Sequence, residues 1–151
     1  MMANDVNTAI NDILHQRVWG VEIAIGTRLS MEFGDEVLMP GHRRPHGKWH
    51  LLLMDCYWRI EDGSSIVVGS DDSDLMVGIQ GLDLGKVNKI QLLPPTSDLQ
   101  IVFENNLRLI TFLTHSRVTP NSRQWYLYCP DDFVWSAEGG GRVICKNRYE
   151  S

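Results

Sequence analysis

Three histidines recur every four residues in one short segment, as His42, His46 and His50. Histidine is a common zinc ligand, and residues four apart share one face of a helix. Pro45 and Gly47 within the segment favour a loop instead. The segment is therefore open to three interpretations: a metal site, an anion or partner contact, or a solvated loop between two strands. We favour the loop and predict no metal.

A second segment has a similar charge pattern. Residues 41–50 and residues 107–124 both contain arginine and no acid, although the protein as a whole is acidic. Arginine forks suit carboxylates and phosphates. We therefore predict that the two basic segments could form one anion- or partner-binding surface. Its candidate residues are His42, Arg43, Arg44, His46, His115 and Arg117.

Catalytic motifs are missing from the sequence. It has no glycine-rich nucleotide fingerprint, no phosphate-binding loop and no nucleophile elbow. Asp55 and Asp131 could do acid–base work if they met in a cleft, but Asp131 lies in a Pro-Asp-Asp turn that explains it locally. We expect no catalytic residue, no cofactor and no enzymatic activity. A deep pocket containing Asp55, Asp131 or His50 would favour an enzyme.

Two further groups could contact a partner. Asp71 and Asp72 belong to an acidic cluster whose spacing does not match a calcium loop. Helix capping and a solvated linker explain this cluster, and a docking face for a basic partner is the functional alternative. Trp58 and Trp135 stand near predicted strand ends, where they are either core residues or exposed anchors of the kind that dominate binding.

Charge and composition restrict the class of partner. The chain of 151 residues has 14 basic and 19 acidic side chains, a net charge of −5. Nucleic-acid binding depends on basic surface, so we expect no nucleic-acid partner. No apolar run reaches the ~20 residues of a membrane helix, so we expect no membrane contact.

The three cysteines have no CxxC spacing and no secretory signal precedes them, which favours buried thiols in a reducing cytoplasm.

The segments that must position these residues recur along the chain. Residues 29–33 match residues 99–103 at an offset of 70, and Trp-x-Leu at 49–51 matches Trp-x-Leu at 125–127 at an offset of 76. The order of such matches never breaks, which indicates an internal duplication. We predict a single domain over residues 1–151, made of two units, 5–69 and 74–146, that share one core about a pseudo-twofold axis.

Each predicted unit begins with a helix and continues as strands. Apolar residues recur at helical spacing after Asp5 and again after Asp74, and alternation with a period of two follows. Residues 49–61 are apolar on both faces, which predicts a long strand in the middle of a sheet. The fold class we expect is therefore α+β: strand-rich, with two helices covering an antiparallel sheet.

The stretch Trp-Tyr-Leu-Tyr-Cys-Pro-Asp at residues 125–131, which follows a strand pair, resembles a pattern in small uncharacterised bacterial proteins. That group includes immunity-type proteins of polymorphic toxin systems, and the resemblance covers mainly residues 86–146. It implies a bacterial, cytoplasmic, non-catalytic protein, and it transfers no functional residues, because immunity proteins bind through variable surfaces.

These observations lead to two functional hypotheses. The first is an immunity-type inhibitor that binds a basic toxin, docking on the first unit and the linker, where the excess of acidic residues lies. The alternative is a small-ligand or anion-binding module that uses the paired basic segments 41–50 and 107–124.

Overall fold

The computed structural model describes residues 5–38, 44–113, 122–138 and 140–149. Among the described residues, 54% lie in strands and 8% in helices. The elements in chain order are α1 (Val6–Asn11), β1 (Val18–Ile23), β2 (Leu29–Val37), β3 (His46–Leu53), β4 (Cys56–Glu61), β5 (Ile66–Gly69), α2 (Leu75–Ile79), β6 (Val87–Leu93), β7 (Asp98–Phe103), β8 (Arg108–Leu113), β9 (Arg123–Tyr128), β10 (Phe133–Glu138) and β11 (Val143–Asn147).

The strands form two antiparallel sheets. One has six strands in the order β1-β2-β3-β9-β10-β11, and the other has five in the order β5-β4-β8-β7-β6. Each sheet takes strands from both halves of the chain, and these meet where β3 pairs with β9 and β4 pairs with β8. Within the two sheets, β1-β2-β3 and β6-β7-β8 are consecutive meanders.

Rows of apolar side chains cross the inner face of each sheet. In the six-stranded sheet, successive strand pairs align the buried residues Leu29, Leu53, Trp125 and Ala137. In the five-stranded sheet, the corresponding row is Val68, Ile60, Leu109, Ile101 and Ile90. Both rows belong to one hydrophobic core, so removal of their apolar surface from water stabilises both sheets together.

The predicted α+β fold class is wrong, because the helices are too short to cover a sheet. At about 1.5 Å per residue, six residues in α1 and five in α2 extend no more than ~9 Å. α1 contacts β6, and α2 contacts β1 and β5, all of which are edge strands. The helical spacing does mark the correct positions, and Asp5 caps α1 by accepting the Thr8 N–H at 2.8 Å. Both helices stop within two turns, before the left-handed residues His15 and Gly81.

The segment 49–61 does not form one long strand. It divides near residues 54–55 into β3 of one sheet and β4 of the other. Core residues of β3 are odd-numbered, such as Leu51 and Leu53, whereas the buried Trp58 in β4 is even-numbered. Since the chain changes sheets, the phase of the alternation changes, and the two phases together look like a strand that is apolar on both faces.

The internal duplication stays a prediction. The two Trp-x-Leu segments that we matched lie in β3 and β9, which are neighbours in the same sheet. Within the part of the chain that the structure describes, neither helix has the length and apolar character needed to cross a membrane.

Candidate ligand-binding cleft

A row of polar side chains lies on the outer face of the six-stranded sheet. Glu32 on β2 is the direct partner of His50 on β3, and His50 is in turn the partner of Tyr128 on β9. Successive side chains of a strand point to opposite faces, so these three face away from the core-facing Leu51 and Leu127. The register therefore brings together residues from three strands that are distant in sequence.

β2 and β3 approach closely beside this row. A Cβ on Gly47 would lie 2.6 Å from the Phe33 carbonyl oxygen, so only glycine fits there. This approach lets the Gly47 N–H donate a 2.9 Å hydrogen bond to Oε1 of Glu32. Nδ1 of the adjacent His46 lies 3.8 Å from the same oxygen.

Glu32 is the centre of a three-residue cluster with His46 and His50, called here the histidine–glutamate cluster. Glu32 is only 6% exposed, and its second carboxylate oxygen makes a close contact with Nδ1 of His50. One ligand atom from each residue lies within 4.8 Å of the other two, and no other described group of His, Cys, Asp and Glu meets this condition. Two imidazole nitrogens and a carboxylate oxygen form a donor set that zinc and related ions accept.

The cluster borders a cleft of about 710 Å³. This is within the usual size of small-molecule sites, roughly 300–1,000 Å³. The polar residues that line the cleft come from β3, from the end of β9 and from the segments after β9 and β11: His46, Lys48, His50, Tyr128, Asp132, Arg148 and Tyr149.

Arg148, which follows β11, and Tyr128, at the end of β9, lie side by side in the lining of the cleft. The Arg148 guanidinium carbon lies 5.7 Å from the centre of the Tyr128 ring, a cation–π arrangement. Burial raises the pKa of the Tyr128 hydroxyl, Tyr126 raises it further, and the charge of Arg148 opposes the shift. Nε of Arg148 is buried and has no hydrogen-bond acceptor among the described residues. Arg148 therefore lines the cleft as a partly buried cation, and its one unsatisfied donor is a buried atom.

The residues predicted for the basic segments are only partly described. His42, Arg43, His115 and Arg117 lie outside the described residues. Arg44 is exposed and pairs with Glu22 at 2.8 Å, on the surface. His46 lies in β3, so the loop that we favoured for its segment is wrong at this position.

The tryptophans predicted as possible anchors are core residues. Trp58 is 2% exposed and Trp135 is 7% exposed, so neither presents its ring to a partner. The indole N–H of Trp58 donates to the Thr27 carbonyl oxygen at 2.8 Å, which satisfies its one polar group inside the protein. The exposed-anchor interpretation is therefore wrong for both.

The aspartates flagged in the sequence mostly serve local structure. Asp71 and Asp72 are both exposed, and Asp72 accepts the Gly69 N–H at 2.8 Å. Asp131 accepts the Phe133 N–H at 3.1 Å, which confirms its turn role. Asp55 accepts the backbone N–H of Arg123 at 3.4 Å, where the chain changes sheets. Of the three residues whose presence in a pocket would favour an enzyme, only His50 lines the cleft.

The three cysteines form no disulfide, and two of them are buried as predicted. Burial raises the pKa of Cys56 and of Cys129 to about 12. A raised pKa keeps a thiol protonated near neutral pH, which disfavours a nucleophilic role for both residues. The third, Cys145, is half-buried.

Sequence reasoning missed Glu32, Tyr128 and Arg148. Glu32 alternates with the apolar residues of β2, which marks an outward-facing position, but an outward-facing acid is ordinary on a strand. The useful signal was the alternation of His46, Lys48 and His50, because residues two apart share one face of a strand as well.

No protein-family model matches the chain, and neither a curated protein nor a solved structure matches it.

Proposed function

We propose that this protein is a binding protein that takes a small anionic molecule into the cleft. The observation that carries the proposal is Arg148, a half-buried guanidinium that makes no ion pair with an acid in the described parts of the chain. A cation removed from water is costly unless an anion or hydrogen-bond acceptors compensate it. A ligand carboxylate or phosphate would supply both.

Lys48 and Tyr128 support an anion of modest size. Lys48 lines the cleft too, and its ammonium lies 3.9 Å from the exposed Asp35, a separation too long for a strong ion pair. The ring of Tyr128 offers an apolar surface next to the cations, which suits a ligand with one flat part and one charged part. This is the alternative of an anion-binding module, moved from the paired basic segments to the cleft.

Thermal unfolding of the full chain with inorganic phosphate, citrate and a nucleoside monophosphate tests this proposal. An anion at 100 times its Kd stabilises the folded state by about 2.7 kcal/mol, or roughly 5–10 °C in Tm for a chain of this size. Arg148→Gln should abolish the shift. Arg142→Gln removes the same charge from an exposed position near the other end of β11 and should keep it. Equal shifts in both variants, or no shift with any anion, would contradict the proposal.

A second candidate function, binding of a basic protein, is favoured by a different surface. The edge strand β5 and the neighbouring α2 expose Ile66 by 60%, Met76 by 65% and Val77 by 68%. Asp71 and Asp72 lie on the loop between these elements. Apolar residues beside acids, on an edge strand, suit a partner with a basic rim, as an inhibitor of a basic toxin would require.

The direct test of this candidate is a binding measurement with the purified basic protein encoded next to this chain in its genome. A stoichiometric complex with nanomolar Kd is expected, and the double variant Asp71→Lys/Met76→Asp should weaken it. Arg148→Gln, which lies in the cleft, should leave it unchanged. A neighbouring gene product that does not bind, or that binds the double variant equally well, would remove this candidate.

A further inference from the structure

We infer that the histidine–glutamate cluster binds one divalent transition-metal ion and that zinc suits it. The three ligand atoms lie within 4.8 Å of one another, and they come from adjacent strands of one sheet. Sheet positions hold ligands more firmly than loops do, which favours a fixed coordination geometry. The inference does not depend on the anion proposal, because none of the three residues needs a ligand in the cleft.

The distances suit a metal after a small adjustment of rotamers. Ligands at 2.0–2.2 Å from a tetrahedral zinc ion lie about 3.4 Å from each other. His46 Nδ1 is 3.8 Å from Oε1 of Glu32, slightly wider than this, and His50 is closer to Oε2 than this. The two separations lie on either side of the required value and involve different oxygens of Glu32, so the side chains must rotate to place one oxygen and both nitrogens around a single ion.

The surroundings of Glu32 hold the carboxylate in place. Its Oε1 accepts the N–H of Gly47, a backbone group that cannot change its position without moving β3. Hydrogen bonds of this kind orient metal-binding carboxylates and tune their affinity. The ring of Tyr128 lies edge-on to His50, with 5.7 Å between ring centres, and limits the orientations of that imidazole.

The donor set also defines the type of ion. Nitrogen and oxygen donors without thiolate favour zinc and its first-row neighbours, whereas calcium and magnesium prefer sites made only of oxygen. Three protein ligands leave at least one position for water or for a ligand atom, which is the pattern of zinc sites that are not purely structural. His46 and His50 both line the cleft, so that position is reached from it.

Metal binding by the untagged full chain tests this inference. Protein treated with a chelator and dialysed should bind one equivalent of Zn²⁺ in competition with a chromophoric chelator. Co²⁺ in place of Zn²⁺ should give the visible absorption of a low-coordinate site. His50→Gln and Glu32→Gln should each weaken Zn²⁺ binding by more than about 100-fold, because loss of a direct ligand exceeds the 10–100-fold effect of residues behind it.

Two matched variants control for the change of residue type. His15→Asn removes an exposed histidine and keeps a residue that tolerates the positive φ of 67° at that position. Glu61→Gln removes a carboxylate that pairs with two arginines. Both variants should bind Zn²⁺ like the original chain. Arg148→Gln should do so as well, which separates this result from the anion proposal.

The inference is overturned if the chelator-treated chain binds less than one equivalent of Zn²⁺, or if His50→Gln and Glu32→Gln bind it as tightly as the original chain. Glu32→Gln keeps an oxygen that can accept the Gly47 N–H, and urea unfolding verifies that each variant is folded. If Glu32→Gln does not fold, His46→Gln replaces it, because the side chain of His46 is 32% exposed and its loss disturbs the core least.

Discussion

Two carboxylates, one in each sheet, lie between two basic side chains. Glu61 at the end of β4 contacts Arg59 at 2.5 Å and Arg108 at 3.1 Å. Glu32 in β2 contacts His46 and His50 instead. The side chain of Glu61 is 16% exposed and that of Glu32 is 7% exposed, so both are largely removed from water.

The two groups differ in whether their basic side chains can also act as electron-pair donors to a metal. A guanidinium has only donors, so Arg59 and Arg108 close the group around Glu61 as an ion-pair network, and they hold the pKa of that carboxyl below its ordinary value. An imidazole has a lone pair and can accept a metal as well as a proton. The same arrangement of a carboxylate between two bases therefore stabilises one sheet and forms a candidate binding site on the other.

The largest effect we predict comes from removing the carboxylate of the cluster. Glu32→Ala leaves the Gly47 N–H and His50 without their acceptor in a buried place, which should lower the free energy of unfolding by about 3 kcal/mol. Urea unfolding of the metal-free chain measures this. Glu61→Ala is the matched variant and should cost about 1 kcal/mol or less, because its partners are partly exposed and stay solvated. Equal losses would show that the two carboxylates serve the same structural purpose.

A smaller effect is expected at the close approach of β2 and β3. In Gly47→Ala, the added methyl meets the Phe33 backbone at 2.6 Å, so the strands must move apart at a cost of about 2 kcal/mol. The same movement displaces Glu32 from His46, so Zn²⁺ affinity should fall together with stability.

Gly26→Ala is the control for that variant. Gly26 has a φ of 74° and no heavy atom within 4 Å of the added Cβ, so the change costs only backbone strain. It should reduce stability by about 1 kcal/mol and leave Zn²⁺ affinity unchanged. Unchanged Zn²⁺ affinity in Gly47→Ala would show that the cluster does not depend on this approach.

The smallest effect is a pH dependence from Glu61. A carboxyl whose pKa is lowered in the folded state stabilises the protein above its ordinary pKa of 4.5, and this contribution is lost as pH falls through the folded pKa. Glu61→Gln should therefore be less stable than the original chain at neutral pH by up to about 1 kcal/mol. The difference should vanish in acid. Urea unfolding midpoints of both chains, measured from neutral to acid pH, check this prediction. A stability difference that does not change with pH would contradict an ion-pair origin.

Local patterns predict most of the elements, because they depend on residues close in sequence. From the sequence alone, alternation with a period of two predicts strands at 18–25, 28–34, 86–93, 98–104 and 107–114. The structure has β1, β2, β6, β7 and β8 there. The pair Asn105-Asn106 likewise predicts a tight turn, because asparagine tolerates positive φ. The chain turns there between β7 and β8, and Asn106 has a φ of 62°. Sheet membership was not predictable, because a change of sheet looks like a doubly apolar strand in sequence.

The candidate site was only half visible in the sequence. His46 and His50 stand out by type and spacing, but Pro45 and Gly47 beside them suggested a loop. In the structure that glycine is needed for strand contact, since only hydrogen fits against the Phe33 backbone. Glu32 joins them through the register of β2 with β3, which depends on the packing of the whole inner face and not on local sequence.

The crossing of the chain between sheets also determines the order in which the fold can be completed. β4 follows β3 directly in the chain but belongs to the other sheet, and each strand has one neighbour from the other half of the chain, β9 beside β3 and β8 beside β4. During synthesis, β3 and β4 each have one unpaired edge until β9 and β8 have been made. An unpaired strand edge can pair with a second copy of the chain. Long-range pairing of this kind is slow to form. The nascent chain is therefore most prone to aggregate after β5 has emerged and before β8 and β9 have, and this interval is where a chaperone would act.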